Sequence, residues 1–403
     1  MIERVISWCA ANRVVVVLAS FGLALWGAWA MVRTPLDAVP DISDVQVIIA
    51  TEWEGRSPDL IEDQVTYPIV TALISTPRVK TVRGFTDFGI SYVYVIFEDH
   101  TDIYWARSRV VEYLQGIRDR LPQGVTPQIG PDATGVGWVF SYALVDESGR
   151  HSLDELRSFQ DWYLRYWLAS VPGVAEVASI GGFVKQYQVI LDPAKLQAFG
   201  IGTAEVMMAL QRSNNDVGGS VVEQAENELM VRSRGYLRGV EDIEKVVVGM
   251  PQASAGDMAA GAGAAARGTP VLLRDVATVQ VGGEMRRGIG ELDGRGEAVG
   301  GIIVSRFGEN AFAVIDRAKT KLAELETGLP PGVFIKATYD RSALIDRAVG
   351  TLRQAVIECL IVTALICVAF LFHFRSALVA ILVLPIGLLA SILVMNLLGI
   401  NAN

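Results

Sequence analysis

Three long apolar runs interrupt a chain that is otherwise amphipathic. Residues 14–32, VVVVLASFGLALWGAWAMV, carry no charge and are long enough to cross a bilayer as a helix. Residues 355–374, AVIECLIVTALICVAFLFHF, and 377–398, ALVAILVLPIGLLASILVMNLL, form two more such runs. Only Arg375 and Ser376 separate them, which predicts a helical hairpin. Between the first and second runs the pattern changes to shorter periods. Ile103, Ala106, Val110, Leu114, Ile117 and Leu121 recur every three or four residues, as do Phe312, Ile315, Ala318, Leu322 and Leu325. Each set predicts a helix with one buried face. Ser57 before Pro58 predicts a capped helix start, and Ser152 with Glu155 a capping box. At 186–191 the period falls to two: Tyr187, Val189 and Leu191 interleave with Gln186, Gln188 and Ile190. That predicts a strand in a sheet with one covered face.

Internal repeats organise this middle segment. The pattern S-x-P-x-V-x-x-V occurs at 75–82 and again at 170–177, each time after a helix and opening a strand pair. The first pair is KTVRGF with SYVYVIFED, and the second is AEVASI with KQYQVILD. LPQGV at 121–125 is echoed by LPPGV at 329–333. Strand, helix, strand, strand, helix, strand from DVQVIIATEW onward forms one split β-α-β unit. A second begins at Gly137 with GWVFSYALVD and closes with GEAVGGIIVSRF, helix 311–327 and VFIKATYD. Residues 200–287 then read as an insertion in the second unit, and the Ala- and Gly-rich stretch 251–268 within it as a surface loop.

Composition fits a membrane part joined to a large polar part. Hydrophobic residues make up 51% and charged residues 20%, with mean hydropathy +0.36. Net charge is −9, so no nucleic-acid partner is expected, because phosphate contacts need concentrated Lys and Arg. Arg4 and Arg13 precede the first run and Arg375 lies between the other two; the positive-inside rule makes all three cytoplasmic. The long middle segment and 399–403 are then outside. Glu358 reads as an interfacial acid and Pro385 as a helix kink. Cys9, Cys359 and Cys367 lie in or beside apolar segments, which implies packing residues and no disulfide framework. No G-x-S-x-G, P-loop or HExxH is present, and His100, His151 and His373 lack ligand spacing. Neither a catalytic residue nor a cofactor site emerges. The soft donors of the middle segment are Met207, Met208, Met230, Met250, Met258 and Met285, whose thioethers suit Cu(I) or Ag(I). No M-x-x-M occurs among them, and spacing alone leaves each as a packing or surface residue.

Several segments carry a family resemblance: PDISDVQVIIATEWEGRSPDLIEDQVTYPI, DIYWARSRV, GPDATGVGW, VAEVASIGGFVKQYQVILDP, EMRRG and RSALVAILVLPIG. The chain resembles the resistance-nodulation-division (RND) efflux pumps, heavy-metal branch. GPDATGVGW, DIYWARSRV and EMRRG look most like its copper/silver subgroup. The resemblance implies an α+β membrane protein: three transmembrane helices with a periplasmic domain of split β-α-β (ferredoxin-like) porter subdomains and an inserted docking subdomain. Residues 1–33 would hold the N-terminal segment and first span, and 34–134 the first porter subdomain. The second porter subdomain would comprise 135–199 and 288–340, interrupted by the docking subdomain at 200–287. Spans two and three would fall at 341–374 and 377–398, with 399–403 the end.

The resemblance further implies a homotrimer in the lipid bilayer of the bacterial inner membrane. It would join a periplasmic adaptor and an outer-membrane channel, and export metal by proton antiport without enzymatic activity. Met285, in EMRRG, matches a methionine of the copper/silver metal relay. It becomes the candidate thioether ligand for transported Cu(I) or Ag(I). Two features depart from the subgroup: the loop 251–268 is longer, and the chain stops at Asn403, where such a pump would continue. A fourth span with a proton-carrying Asp, a second porter half and the main methionine site would follow, so the chain as given is not expected to pump alone. Alternative cargoes are divalent Co, Zn or Cd, or hydrophobic drugs. A membrane-anchored periplasmic sensory or binding module is the alternative of another class.

Overall fold

The computed structural model describes residues 2–33, 41–216, 219–224, 227–231, 235–249, 269–286, 288–371 and 374–398. The loop 251–268, Met250, Met258, His373 and the chain end 399–403 lie outside them. Helices α1 (Ile2–Ala11) and α2 (Arg13–Arg33) lead into the first sheet. That sheet is built from β1 (Gln46–Glu52), β2 (Val79–Asp87), β3 (Ile90–Phe97) and β4 (Gln128–Ile129). Its strand order is β2-β3-β1-β4, antiparallel throughout. Between β1 and β2 run α3 (Pro58–Ile61), a π turn (Glu62–Thr66) and α4 (Tyr67–Leu73); α5 (Ile103–Gln115) follows β3. Alternate residues of β1 and β3, Val47, Ile49, Val93 and Val95, are buried with Ile61, Ile69, Leu73, Ala106 and Val110 of these helices. The two periods meet in one core. Asp102 caps α5 by accepting from Trp105 N–H at 2.7 Å. Ser57 occupies the N-cap of α3 but its hydroxyl makes no capping bond, so the start rests on Pro58 at the first turn.

The second sheet starts the same way, with β5 (Trp138–Asp146), α6 (Leu153–Phe159), a π turn (Gln160–Leu164), α7 (Arg165–Ala169) and β6 (Val174–Ile180). The repeated S-x-P-x-V turn is the same in both: Val79 N–H donates to Thr76 O at 3.2 Å, and Val174 N–H to Val171 O at 3.1 Å. At equivalent places Arg78 and Gly173 have positive φ, 62° and 87°.

Gly182–Ile289, together with Leu153–Ser158, form a separate compact unit. It contains β7 (Lys185–Leu191), α8 (Pro193–Phe199), α9 (Thr203–Ser213) and the hairpin β8 (Val221–Gln224) and β9 (Asn227–Met230). After these come α10 (Val240–Glu244), β10 (Val247–Gly249), β11 (Val271–Leu272), α11 (Leu273–Val276) and β12 (Ala277–Gly283). Its own core includes Leu196, Val206, Ile243, Val271, Leu273 and Val276. Then β13 (Val299–Ser305), α12 (Ala311–Glu326) and β14 (Val333–Asp340) complete the second sheet, in the order β14-β5-β13-β6. Position by position this is the order of the first sheet.

The strand pair expected between AEVASI and KQYQVILD does not form. β6 pairs with β13, whereas β7 pairs with β12, from Leu191↔Ala277 to Lys185↔Gly283. The cause lies at Gly181 and Gly182, whose φ values of 70° and 65° turn the chain out of the ladder. A Cβ on Gly181 would lie 2.0 Å from the Ala298 carbonyl oxygen, so no larger residue fits this crossing. Phe312 also departs from expectation: it is 38% exposed, and Ala311 and Val314 join Ile315, Ala318, Leu322 and Leu325 on the buried face of α12.

Two further helices follow β14: α13 (Arg341–Leu371) and α14 (Phe374–Leu397). Among the described residues Arg13–Met31 and Arg341–Phe370 are long and apolar enough to cross a membrane, and Ile381–Leu397 is a shorter apolar helix. Arg375 and Ser376 are helical in α14 and do not form the turn expected of them; neither is a helix breaker. α2 lies close against α14, where a Cβ on Gly27 would stand 2.7 Å from the Leu389 carbonyl oxygen. Such small-residue contacts let apolar helices associate without a hydrophobic drive. Glu358 of α13 accepts from the Gln354 amide at 2.9 Å.

β14 passes into α13 without a loop. Lys319 of α12 holds this junction, donating to Asp340 at 2.5 Å and to the Ser342 hydroxyl at 2.9 Å. Burial raises the Asp340 pKa, but the bonds from Lys319 and Ser342 outweigh it and the net shift is downward. A depressed carboxyl stabilises the fold above its unfolded pKa and loses that contribution as pH falls through the folded value. Lys319→Met is therefore expected to cost no more than about 1 kcal/mol at neutral pH, given the partial exposure of the pair. The difference from the parent should vanish in acid, read from thermal unfolding at stepped pH. Gly181→Ala should cost at least about 2 kcal/mol, because left-handed strain and the Ala298 clash add. Gly124→Ala, with φ of 83° but open space around it, should cost only about 1 kcal/mol in the same assay.

Candidate functional site

Met285 is positioned by the β7–β12 ribbon. The paired strands end at Lys185 and Gly283, and one further bond extends the ladder, Glu284 N–H to Val184 O at 2.9 Å. Beyond Met285 the Arg286 guanidinium lies 4.3 Å from the centroid of the Phe183 ring, a cation–π contact. The backbone on both sides of Met285 is thus held, while its side chain is 67% exposed. A thioether presented in this way is an accessible soft donor.

The other described methionines of this unit lie on separate elements. Met207 and Met208 are on α9 and Met230 closes β9, where it is 82% exposed. Met208 lines an open groove of about 710 Å³ with Phe199, Glu205, Arg212 and Val248. Among the described residues no group of three or more His, Cys, Asp or Glu is placed to hold a metal. His100 sits in a turn with φ of 62°. The His151 N–H donates to Asp146 at 2.9 Å. The Ser148 hydroxyl, then that N–H, hold the Asp146 carboxyl down at about 2, which marks a tight turn. Cys9, Cys359 and Cys367 are free thiols.

Residues 5–403 match the AcrB/AcrD/AcrF family. The chain belongs to that family. Within it, the cation efflux system protein CusA of Escherichia coli (strain K12) is 53% identical over 403 residues, 100% of this chain and 37% of that protein. The cobalt-zinc-cadmium resistance protein CzcA of Cupriavidus metallidurans is 35% identical over 396 residues, 96% of this chain and 36% of that protein. An X-ray crystal structure of a heavy metal efflux pump aligns with a TM-score of 0.86 at 29% identity, covering 99% of this chain and 38% of that one. The resemblance drawn from the quoted segments therefore holds, and the chain spans 37% of the CusA length. In this AcrB/AcrD/AcrF-family chain, EMRRG places its methionine on an exposed, anchored segment.

Exposure ranks the methionines for oxidation. With dilute peroxide, Met230 and Met285 should convert to sulfoxide before Met395, which is half-buried in α14. Peptide mapping over time reads the order; protection of Met285 equal to that of Met395 would contradict the geometry described.

Proposed function

We propose that this chain is part of an inner-membrane secondary transporter that exports heavy-metal cations by proton antiport, with Cu(I) or Ag(I) as cargo. The observation that carries the reading is likeness along the whole chain, 53% identity to a cation efflux system protein over 403 residues. The architecture it shares with a heavy metal efflux pump, at a TM-score of 0.86, supports the same reading. Two features favour soft monovalent cargo. Identity falls to 35% against the cobalt-zinc-cadmium protein, and the candidate donor Met285 is a thioether, which prefers Cu(I) and Ag(I) to harder divalent ions.

In this reading the two four-stranded sheets act as porter subdomains and the inserted unit as a docking subdomain. α2, α13 and α14 are the membrane spans, with Arg4 and Arg13 on the cytoplasmic side. The sheets and the inserted unit then lie in the periplasm. A homotrimer joined to a periplasmic adaptor and an outer-membrane channel belongs to the same reading, supported by membership of the family.

The test is growth of a bacterial host deleted for its own copper and silver exporter. The full reading frame containing this chain is expected to restore tolerance to both metals, and Met285→Ile to lower the tolerated silver concentration. The chain of 403 residues expressed alone should leave tolerance unchanged. Restored tolerance to cobalt, zinc or cadmium in place of silver would reassign the cargo, and export by the chain alone would refute the need for further segments.

A further inference from the structure

Residues 130–137, GPDATGVG, join the first sheet to the second, and connections of this kind ordinarily make few contacts. Here they are bonded along their length. Gly130 N–H donates to Ile48 O of β1 at 2.8 Å, and its carbonyl accepts from Arg107 of α5 at 2.7 Å. The Asp132 carboxylate accepts from the Tyr104 hydroxyl of α5 at 3.2 Å and lies 3.8 Å from Arg306 Nε, just past β13. Its side chain is only 16% exposed. The Asp132 carbonyl accepts from Phe307 N–H at 2.9 Å. The Thr134 hydroxyl donates to Asp41 at 2.7 Å, and the Val136 carbonyl accepts from Arg341 at 2.5 Å. Ser305 N–H donates to the Gly137 carbonyl at 2.7 Å. Packing is close, with a cavity of only about 20 Å³ between Ser43, Ile103, Thr134 and Phe307.

The pattern of partners gives these bonds a meaning beyond tethering. Asp41 is where the described chain resumes after α2, and Arg341 is the first residue of α13. The lead-in to β1 and the start of α13 therefore converge on Thr134 and Val136. The two sheets converge next to them, on Asp132, through Tyr104 on one side and Arg306 and Phe307 on the other. A shift of α13 relative to the first sheet strains the Val136 bond, and through it the Thr134 bond to Asp41. Between these and the Asp132 contacts lies only a short backbone stretch with little free volume.

We propose that residues 130–137 are a coupling element: they convert displacement of α13 into a change of setting between the two sheets. Asp132, Thr134 and Arg341 are its positioning residues. The proposal rests on the reading of α13 as a membrane span.

Hydrogen–deuterium exchange on the full chain in lipid nanodiscs tests it. Thr134→Val removes only the bond to Asp41. It is expected to speed exchange at residues 305–307 and 341–346 by about fivefold, the effect of losing one net hydrogen bond. Arg341→Met is expected to do the same at 41–46 and 305–307. Slow exchange within β1, β3 and β13 should persist in both variants, showing an intact fold. Changes confined to each variant's direct partner would overturn the coupling and leave 130–137 a plain tether. Should Arg341→Met unfold, Thr134→Val decides alone. Protection of peptides inside α2 and α13 reports membrane insertion separately, so failure of the membrane reading is seen apart from failure of the coupling.

Discussion

Every residue of β13 is buried, and the second sheet exists only because this strand returns to lie between β5 and β6. Its sequence, VGGIIVS, suits a central strand with both faces covered. Each buried Ile or Val contributes about 1.5–3 kcal/mol relative to exposure. Closing that ladder across an insertion would be costly if the ends of the insertion were far apart. They are not: Gly290 Cα lies 3.3 Å from where a Cβ on Gly181 would sit. An insertion whose ends already meet adds only slowly growing loop entropy. The unit at 182–289 has its own hydrophobic cluster, so it can fold without drawing on the sheet it interrupts.

That arrangement explains which parts of the chain could be read in advance. The repeat at 75–82 and 170–177 was visible because identical turn geometry demands the same Ser, Pro and Val spacing. The closing strands of the second sheet were visible because their apolar runs had no nearer partner. The partner of β7 was not visible. Alternation of Tyr187, Val189 and Leu191 predicts one covered face but not what covers it; the structure covers Val189 and Leu191 and leaves Tyr187 51% exposed. Gly181 and Gly182 read as an ordinary turn, because nothing in two adjacent glycines reports that the chain is leaving one core for another. Phe312 satisfied the helical period as well as Val314 does, and only packing against the sheet separates them. Met285 was noticed through its motif; its anchoring by Val184 and Phe183 came from residues far away in sequence. Asp132 and Thr134 were quoted within a family segment with no role attached, since their partners come from three separate parts of the chain.

Both sheets carry a polar feature that hydrophobic patterning hides. In the first, the π turn brings fully buried Thr66 onto the sheet, where its hydroxyl donates to Ser91 at 2.7 Å and meets the Thr86 hydroxyl at 2.7 Å. In the second, the π turn buries Gln160, which accepts from the Tyr142 hydroxyl at 2.9 Å; burial raises the Tyr142 pKa. An extra residue in a helical turn rotates the side chains after it. It allows one polar group to reach the sheet while the flanking Val65, Ile69, Leu164 and Leu168 stay in the core. Buried polar groups are tolerated only when paired, so each pairing fixes one register of helix on sheet.

A fixed register has consequences at the edge nearest the apolar helices. α13 starts at the residue after β14, and Lys319 bonds residues on both sides of that boundary, Asp340 and Ser342. No flexible residue separates sheet from helix. A tilt of α13 therefore cannot be absorbed locally and must move the second sheet with it. The first sheet meets the second through Asp132, with the lead-in to β1 joined alongside through Thr134 and Asp41. On the proposed coupling, motion of this chain reduces to two stiff bodies turning about 130–137. Rigid-body rocking of packed elements is how secondary transporters alternate access. Under the proposed function a single thioether such as Met285 suits that mode of action, because an ion that must move on gains nothing from a closed ligand cage.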